Sequence, residues 1–404
     1  MKRSIIVFFG ITFMLFSSNT FAAKKAKDLK LDMLTNDAIK QSLVALANST
    51  IEIKDTLKYP NQGTKTFQWQ LRTSKDWTSG FYPGCLWYAY ELSNDAKFKT
   101  WAKQWTSGIE AMKFNNKTHD LGFRFNCAFG NGLRLAPNDP QTQRYKEILL
   151  TSAATADSRF VPVIGQYPSD WDESAKTVQN SVGGLVDVMM NLELLLWASE
   201  NGGDPAIRER CITHSKNVFR DFVRPDGGTY HIVRYDKDSG KVLNKGQLQG
   251  DVDESTWSRG HAWMVYGFTV VYRHTKDEQF LKNAMRLADY FIAHLPADKV
   301  ANWDFQSKLD HRDASASAIV CSALLEMHKY VKDPKKKQFY LNEAKSILTS
   351  LCQPPYFTEG KGTNCLLYHS TQYFHKTDNT DVPCIFADYY FLESIIRYKN
   401  LAKK

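Results

Sequence analysis

Apolar residues recur at helical spacing along almost the whole of this 404-residue chain, and no other feature constrains its fold as strongly. The periodicity predicts helices near 34–54, 80–95, 97–114, 122–135, 140–157, 181–200, 204–223, 257–275, 277–295, 312–331, 336–352 and 383–400. In the last of these, Ile385, Phe386, Tyr389, Tyr390, Leu392, Ile395 and Ile396 mark one apolar face. Breaks such as Asn201-Gly-Gly-Asp-Pro205 and Pro225-Asp-Gly-Gly228 punctuate the pattern. The helices come in pairs joined by short turns, and no Pro/Gly/Ser-rich linker divides them, so 23–404 reads as one domain. Six helical hairpins fit a closed double ring, the all-α (α/α)6 barrel. Its inner ring would be apolar and aromatic, which 10 Trp, 19 Tyr and 24 Phe can supply. An α-solenoid would give similar periodicity, but the sequence shows no strong repeat. Irregular stretches at 55–79, 158–180, 224–256, 296–311 and 353–382 would gather at one mouth of such a ring and shape a pocket.

The N-terminus has a different character. Met1-Lys2-Arg3 and the apolar run after it read as a secretory signal peptide over 1–22, cleaved after Ala22. The run is too short for a comfortable membrane span, and nothing later replaces it. The expected location is therefore a bacterial periplasm. The seven cysteines are scattered without a CxxC pair, which argues against a disulfide scaffold and a zinc site. Buried thiols are expected, with Cys352–Cys365 the one bridge to consider. The net charge of +9 falls to about +7 when Lys2 and Arg3 leave with the signal. A basic balance suits an acidic substrate, yet no nucleic-acid-binding motif accompanies it.

Asp187 is the chemical anomaly. Val182, Leu185, Val186, Met189, Leu192 and Leu196 place it on an apolar helix, where an ionised carboxylate is costly unless paired. Burial should then raise its pKa and suit it to general-acid work. Gly183 and Gly184 on the preceding turn would leave room for a ligand. The structural alternative is a carboxyl satisfied by Asn180, Asn191 or a neighbouring Arg. Asp120, before the 122–135 helix, reads either as an N-cap or as the second carboxylate of a glycosidase-like site. Trp77 and Trp171 lie in mouth segments, and Trp171 is a sugar-stacking candidate. Trp87 and Trp263 read as core. His231 alone reads as structural. Arg259, in the first turn of the 257–275 helix, could hold a sugar carboxylate or could pair with Asp251, Asp253 or Glu254.

Several motifs in order carry a resemblance: Trp77-Thr-Ser-Gly-Phe81, His119-Asp-Leu-Gly-Phe123, Asp187-Val-Met-Met-Asn191, Gly227-Gly-Thr-Tyr-His231 and Ser255-Thr-Trp-Ser-Arg-Gly-His-Ala-Trp263. Together they resemble the unsaturated glucuronyl hydrolases of glycoside hydrolase family 88, over nearly all of 23–404. The resemblance implies an (α/α)6 barrel and an exo-acting enzyme without metal or other cofactor. Its substrate would be an oligosaccharide bearing a 4,5-unsaturated uronic acid at the non-reducing end, of glycosaminoglycan type. It further implies hydration of the C4=C5 vinyl ether, with Asp187 as proton donor and Asp120 as the second essential carboxylate. His231, Gln249, Trp257 and Arg259 match the family's sugar-contacting positions, and Trp77 and Trp171 its stacking positions. His261 stands where the family pattern has Gln, and is expected to face a neighbouring helix. The related rhamnogalacturonyl hydrolases, acting on pectin fragments, and a non-catalytic glycan-binding barrel are the alternatives.

Overall fold

A computed structural model describes residues 9–169, 180–359, 364–376 and 379–401, with side chains from 26 onward except that of Thr142. Helix α1 (Phe9–Ile53) leads into a hairpin of β1 (Tyr59–Gly63) and β2 (Trp69–Arg72). Then come α2 (Phe81–Ser93), α3 (Ala96–Ser107), α4 (Leu121–Phe125), α5 (Asn131–Leu135) and α6 (Thr142–Asp157). One π-type turn, Asn126–Gly130, joins α4 to α5. Strand β3 (Ser181–Leu185), α7 (Val188–Glu200), α8 (Ala206–Phe222), β4 (Ile232–Asp236) and β5 (Val242–Gly246) form the middle of the chain. The rest is α9 (Ser258–Thr275), α10 (Glu278–Ala293), α11 (Ala314–Met327), α12 (Pro334–Leu351) and α13 (Ile385–Lys399).

The packing order closes a ring. Helices α2, α4–α5, α7, α9, α11 and α13 each touch the next, and α13 returns to α2. The others stand outside: α12 packs on α11 and α13, α10 on α9 and α11, and α1 on α2 and α12. The expected (α/α)6 double ring is therefore the observed one. Burial follows the layers. Every residue of α11 is buried, whereas outer α10 buries only the face carrying Phe280, Leu281, Ala284, Leu287, Ala288 and Phe291. That difference matches an apolar sequence all round a core helix and a one-sided stripe on a surface helix. Outer helix α1 begins well before the expected residue 34, and among the described residues no helix is long and apolar enough to cross a membrane.

Two expectations are corrected. The segment Ser181–Leu185 is not the start of a helix but a strand, paired antiparallel with β4, which pairs in turn with β5. The five residues Ser-Val-Gly-Gly-Leu satisfy either period, and the strand's partner lies some fifty positions away. Gly183 and Gly184 therefore sit in a sheet. A Cβ on Gly184 would come within 2.9 Å of Gln166 Oε1 and 3.2 Å of the Phe222 ring, so its small size serves packing rather than a ligand. The cysteines follow expectation: all seven are buried thiols, and Cys352 and Cys365 are not bridged.

Candidate active site

Aspartates usually precede helices because the carboxylate accepts orphan backbone N–H groups. Asp95, Asp277, Asp313 and Asp333 do so here for α3, α10, α11 and α12. Asp120 and Asp187 occupy the same position ahead of α4 and α7, yet neither side chain makes a capping bond. Both instead line one cavity of about 610 Å³ at the mouth where the inner helices begin. The N-cap reading of Asp120 is thereby excluded. Helix N-termini carry partial positive charge, so this mouth favours anions.

The two carboxylates are tied together through the backbone. Asn191 on α7 accepts the Phe123 N–H of α4 at 3.0 Å and donates to the Asp187 carbonyl at 3.2 Å. A Cβ on Gly122 would fall 2.5 Å from the Asn191 Cα, so only glycine permits α4 to approach α7 this closely. Thr118 Oγ1 donates to Asp120 Oδ2 at 3.3 Å, and His119 Nε2 lies 3.3 Å from Asp120 Oδ1.

Asp187 meets neither Asn180 nor an Arg. Its Oδ2 lies 3.2 Å from His231 Nε2. His231 is held by its own backbone, which donates to Gly246 and accepts from Val186, and its ring packs 4.4 Å from that of Trp257. Burial pushes the Asp187 carboxyl up. The hydrogen bond and charge of His231 and the charge of His119 outweigh that effect and hold it below the ordinary carboxylate range. The expectation of a raised pKa is corrected here: the anion is not stranded in an apolar helix but faces two imidazoles. His231, read alone as structural, is a partner of that carboxyl. Its Nδ1 and the Trp257 Nε1 are buried without hydrogen-bond partners among the described residues.

Arg259 lines the same cavity, but its guanidinium is committed. It reaches Asp313 at 2.5 Å, the Thr371 and Gln372 carbonyls, and Gln249 Oε1 at 3.0 Å, and it stacks 4.5 Å above Trp257. The expected partners Asp251, Asp253 and Glu254 are displaced by Asp313, 54 residues onward. Arg259 thus anchors the 371–372 segment against Gln249 rather than offering an unoccupied fork. Trp77 faces the cavity from its rim, tilted 32° to Phe386 at 5.2 Å. Trp263 is core as expected and also forms part of the floor. Trp171 lies outside the described residues.

His261 points away. It packs against Tyr290 of α10, with Nε2 2.8 Å from the Leu287 carbonyl, and burial pushes its pKa down to about 4. Lys376, a candidate for the far subsite from its place in the 353–382 loop, lies on the outer rim, but sequence reasoning missed Asn61, Gln62, Arg72, Tyr373 and Asn379 beside it. Only the position of these residues in the irregular stretches 55–79 and 353–382 could have signalled them.

Comparison with known proteins agrees with this fold. An unsaturated glucuronyl hydrolase of Formosa agariphila is 38% identical over 337 residues, covering 82% of each chain. The chain belongs to the unsaturated glucuronyl hydrolases. It is a glycoside hydrolase. An unsaturated chondroitin disaccharide hydrolase of Streptococcus pyogenes is 30% identical over 91% of this chain and 93% of its own. The crystal structure of a heparin-specific unsaturated glucuronyl hydrolase superposes with a TM-score of 0.86 at 34% identity, covering 92% of this chain and 99% of its own. That of the Bacillus sp. GL1 enzyme gives 0.84 at 28%, over 90% and 96%. No protein-family model matches the sequence.

Proposed function

We propose that the cavity between Asp120 and Asp187 removes the 4,5-unsaturated uronic acid from the non-reducing end of glycosaminoglycan fragments by hydrating its C4=C5 bond. The observation that carries this reading is the pair of non-capping aspartates at adjacent inner-helix N-termini, one of them held by His231. Asp187 gives its proton to C4 and then takes one from the water whose oxygen bonds to C5. The hemiketal so formed opens, and the glycosidic bond breaks to release a keto-uronate and the remaining sugar. One water is consumed, and Asp187 ends as it began.

A low pKa for Asp187 does not conflict with proton donation. A uronate carboxylate entering beside His231 and His119 competes for the same positive charge and raises the Asp187 pKa when the donor is needed. Asp120 and its partner Thr118 would orient the ring, Trp77 offers an apolar face to it, and Trp257, packed against His231 and Arg259, would hold both in place. Gln249 would contact a hydroxyl through its amide, its carbonyl being held by Arg259. The relatives that act on heparin-type and chondroitin-type substrates favour glycosaminoglycan over pectin fragments.

Lyase-generated disaccharides absorb in the ultraviolet through their conjugated double bond, and hydration abolishes that absorbance. The reading expects loss of absorbance on a panel of chondroitin, hyaluronan or heparin disaccharides. Persistence of the signal on all of them would overturn it. We also propose that 1–22 is a signal peptide and that the enzyme works in the periplasm. N-terminal sequencing of exported protein should then begin at Ala23.

A further inference from the structure

The barrel has a second cavity, of about 500 Å³, at its opposite mouth. It is built from the C-terminal ends of the same inner helices: Glu91 near the end of α2, Glu193 and Trp197 on α7, Arg273 on α9, and Glu393 and Arg397 on α13. Its charges cancel in pairs. Arg134 grips Glu91 through two bonds of 3.0 and 2.7 Å, Arg273 holds Glu193 at 2.6 Å, and Arg397 lies 3.3 Å from Glu393. Glu326, behind the wall, bridges Arg273 at 2.9 Å and Arg397 at 3.0 Å. Burial pushes the Glu326 carboxyl up, but the two arginines bring it below the ordinary range, so it remains an anion. With every guanidinium matched by a carboxylate, a sulfate or uronate would enter without a counter-charge.

What remains uncommitted is neutral or half-used. Asn126, on the π-type turn, and Asn400, at the end of α13, make no side-chain hydrogen bond among the described residues. The Trp197 Nε1 likewise has none, and only one Glu193 oxygen is engaged. These groups mix donors with acceptors, beside an indole and the side chains of Leu133 and Ile396. Hydroxyls are both donor and acceptor, and a pyranose adds an apolar C–H face for the indole. The cavity volume falls within the range of small-molecule sites.

We propose that this rear cavity binds a neutral polyhydroxylated molecule, a sugar or polyol, independently of the catalytic mouth. Such binding needs no turnover, so it stands or falls apart from the proposed hydrolysis.

Saturation-transfer NMR on the full chain with D-glucose as probe reads this directly. Transfer is expected in the wild type and in Trp77→Ala, which alters only the front mouth. Loss of even one hydrogen bond weakens a site about fivefold, so the Asn126→Ala/Asn400→Ala protein should lose at least that much. Trp197→Phe, which keeps an aromatic face but removes the N–H, should lose less and decides the matter if the double variant fails to fold. Sulfate and D-glucuronate should not displace the glucose. Absence of transfer in the wild type, transfer abolished by Trp77→Ala, or transfer unchanged in the rear variants would overturn the proposal.

Discussion

The two mouths of the barrel are made by opposite ends of the same helices, and they treat charge in opposite ways. At the rear, Arg134, Arg273 and Arg397 meet Glu91, Glu193, Glu326 and Glu393 in direct ion pairs, with Tyr88, Tyr266 and Ser322 completing the oxygens of Glu393. At the front, the Asp187 carboxylate has one direct histidine contact, and the Nδ1 of that histidine and the Trp257 N–H have no partners among the described residues. Charges paired in this way hold helices together and leave no counter-charge for an ionic ligand, whereas a half-matched carboxylate keeps capacity for one. The difference fits the front mouth to a charged substrate and the rear mouth to a neutral one.

The contrast can be broken first from the rear. Arg397 serves Glu393, Glu326, the Ser322 carbonyl and the Tyr266 hydroxyl, so Arg397→Met strands buried carboxylates. A loss of about 3–5 kcal/mol is expected in chemical denaturation, with kcat on an unsaturated disaccharide changed little. A stable but inactive variant would mean that the rear network serves catalysis instead.

The second prediction concerns pH. Burial holds His261 at about 4 in the fold, against 6.5 unfolded. The unfolded chain therefore takes up the proton first. Stability from this residue is full above pH 6.5 and is lost as pH falls toward 4, by about 3 kcal/mol. His261→Gln should flatten that acid limb without moving the pH profile of activity. An unchanged limb would show that His261 is not the titrating group.

The smallest expected effect sharpens the front. His231→Gln removes the leading influences that hold the Asp187 carboxyl low, so the alkaline limb of kcat/KM should move to higher pH, while stability changes little. A limb that stays in place or moves to lower pH would remove His231 from the control of Asp187.

How much of this was legible follows from the range of each interaction. Helices declare themselves through neighbours three and four residues apart, so the ring could be read from α2 to α13 without coordinates. The strand β3 could not, because its alternation is only five residues long and its partner β4 is distant in sequence. Asp187 was recognisable as an anomaly, but its ionisation was not, since His231 lies 44 residues away. The same holds for Arg259, whose nearest carboxylates in sequence proved not to be its partner. The motif residues meet at one cavity, the candidate site; the charges within it depended on which distant segments met there.

The most direct test of the account is Asp187→Asn. The amide keeps the shape of the side chain but has no acidic proton to give, so the ultraviolet absorbance of a bound unsaturated disaccharide should persist. Turnover should fall by about a thousandfold or more, while calorimetric binding of the same disaccharide survives. An Asp187→Asn protein that bleaches the substrate at the wild-type rate would contradict the account.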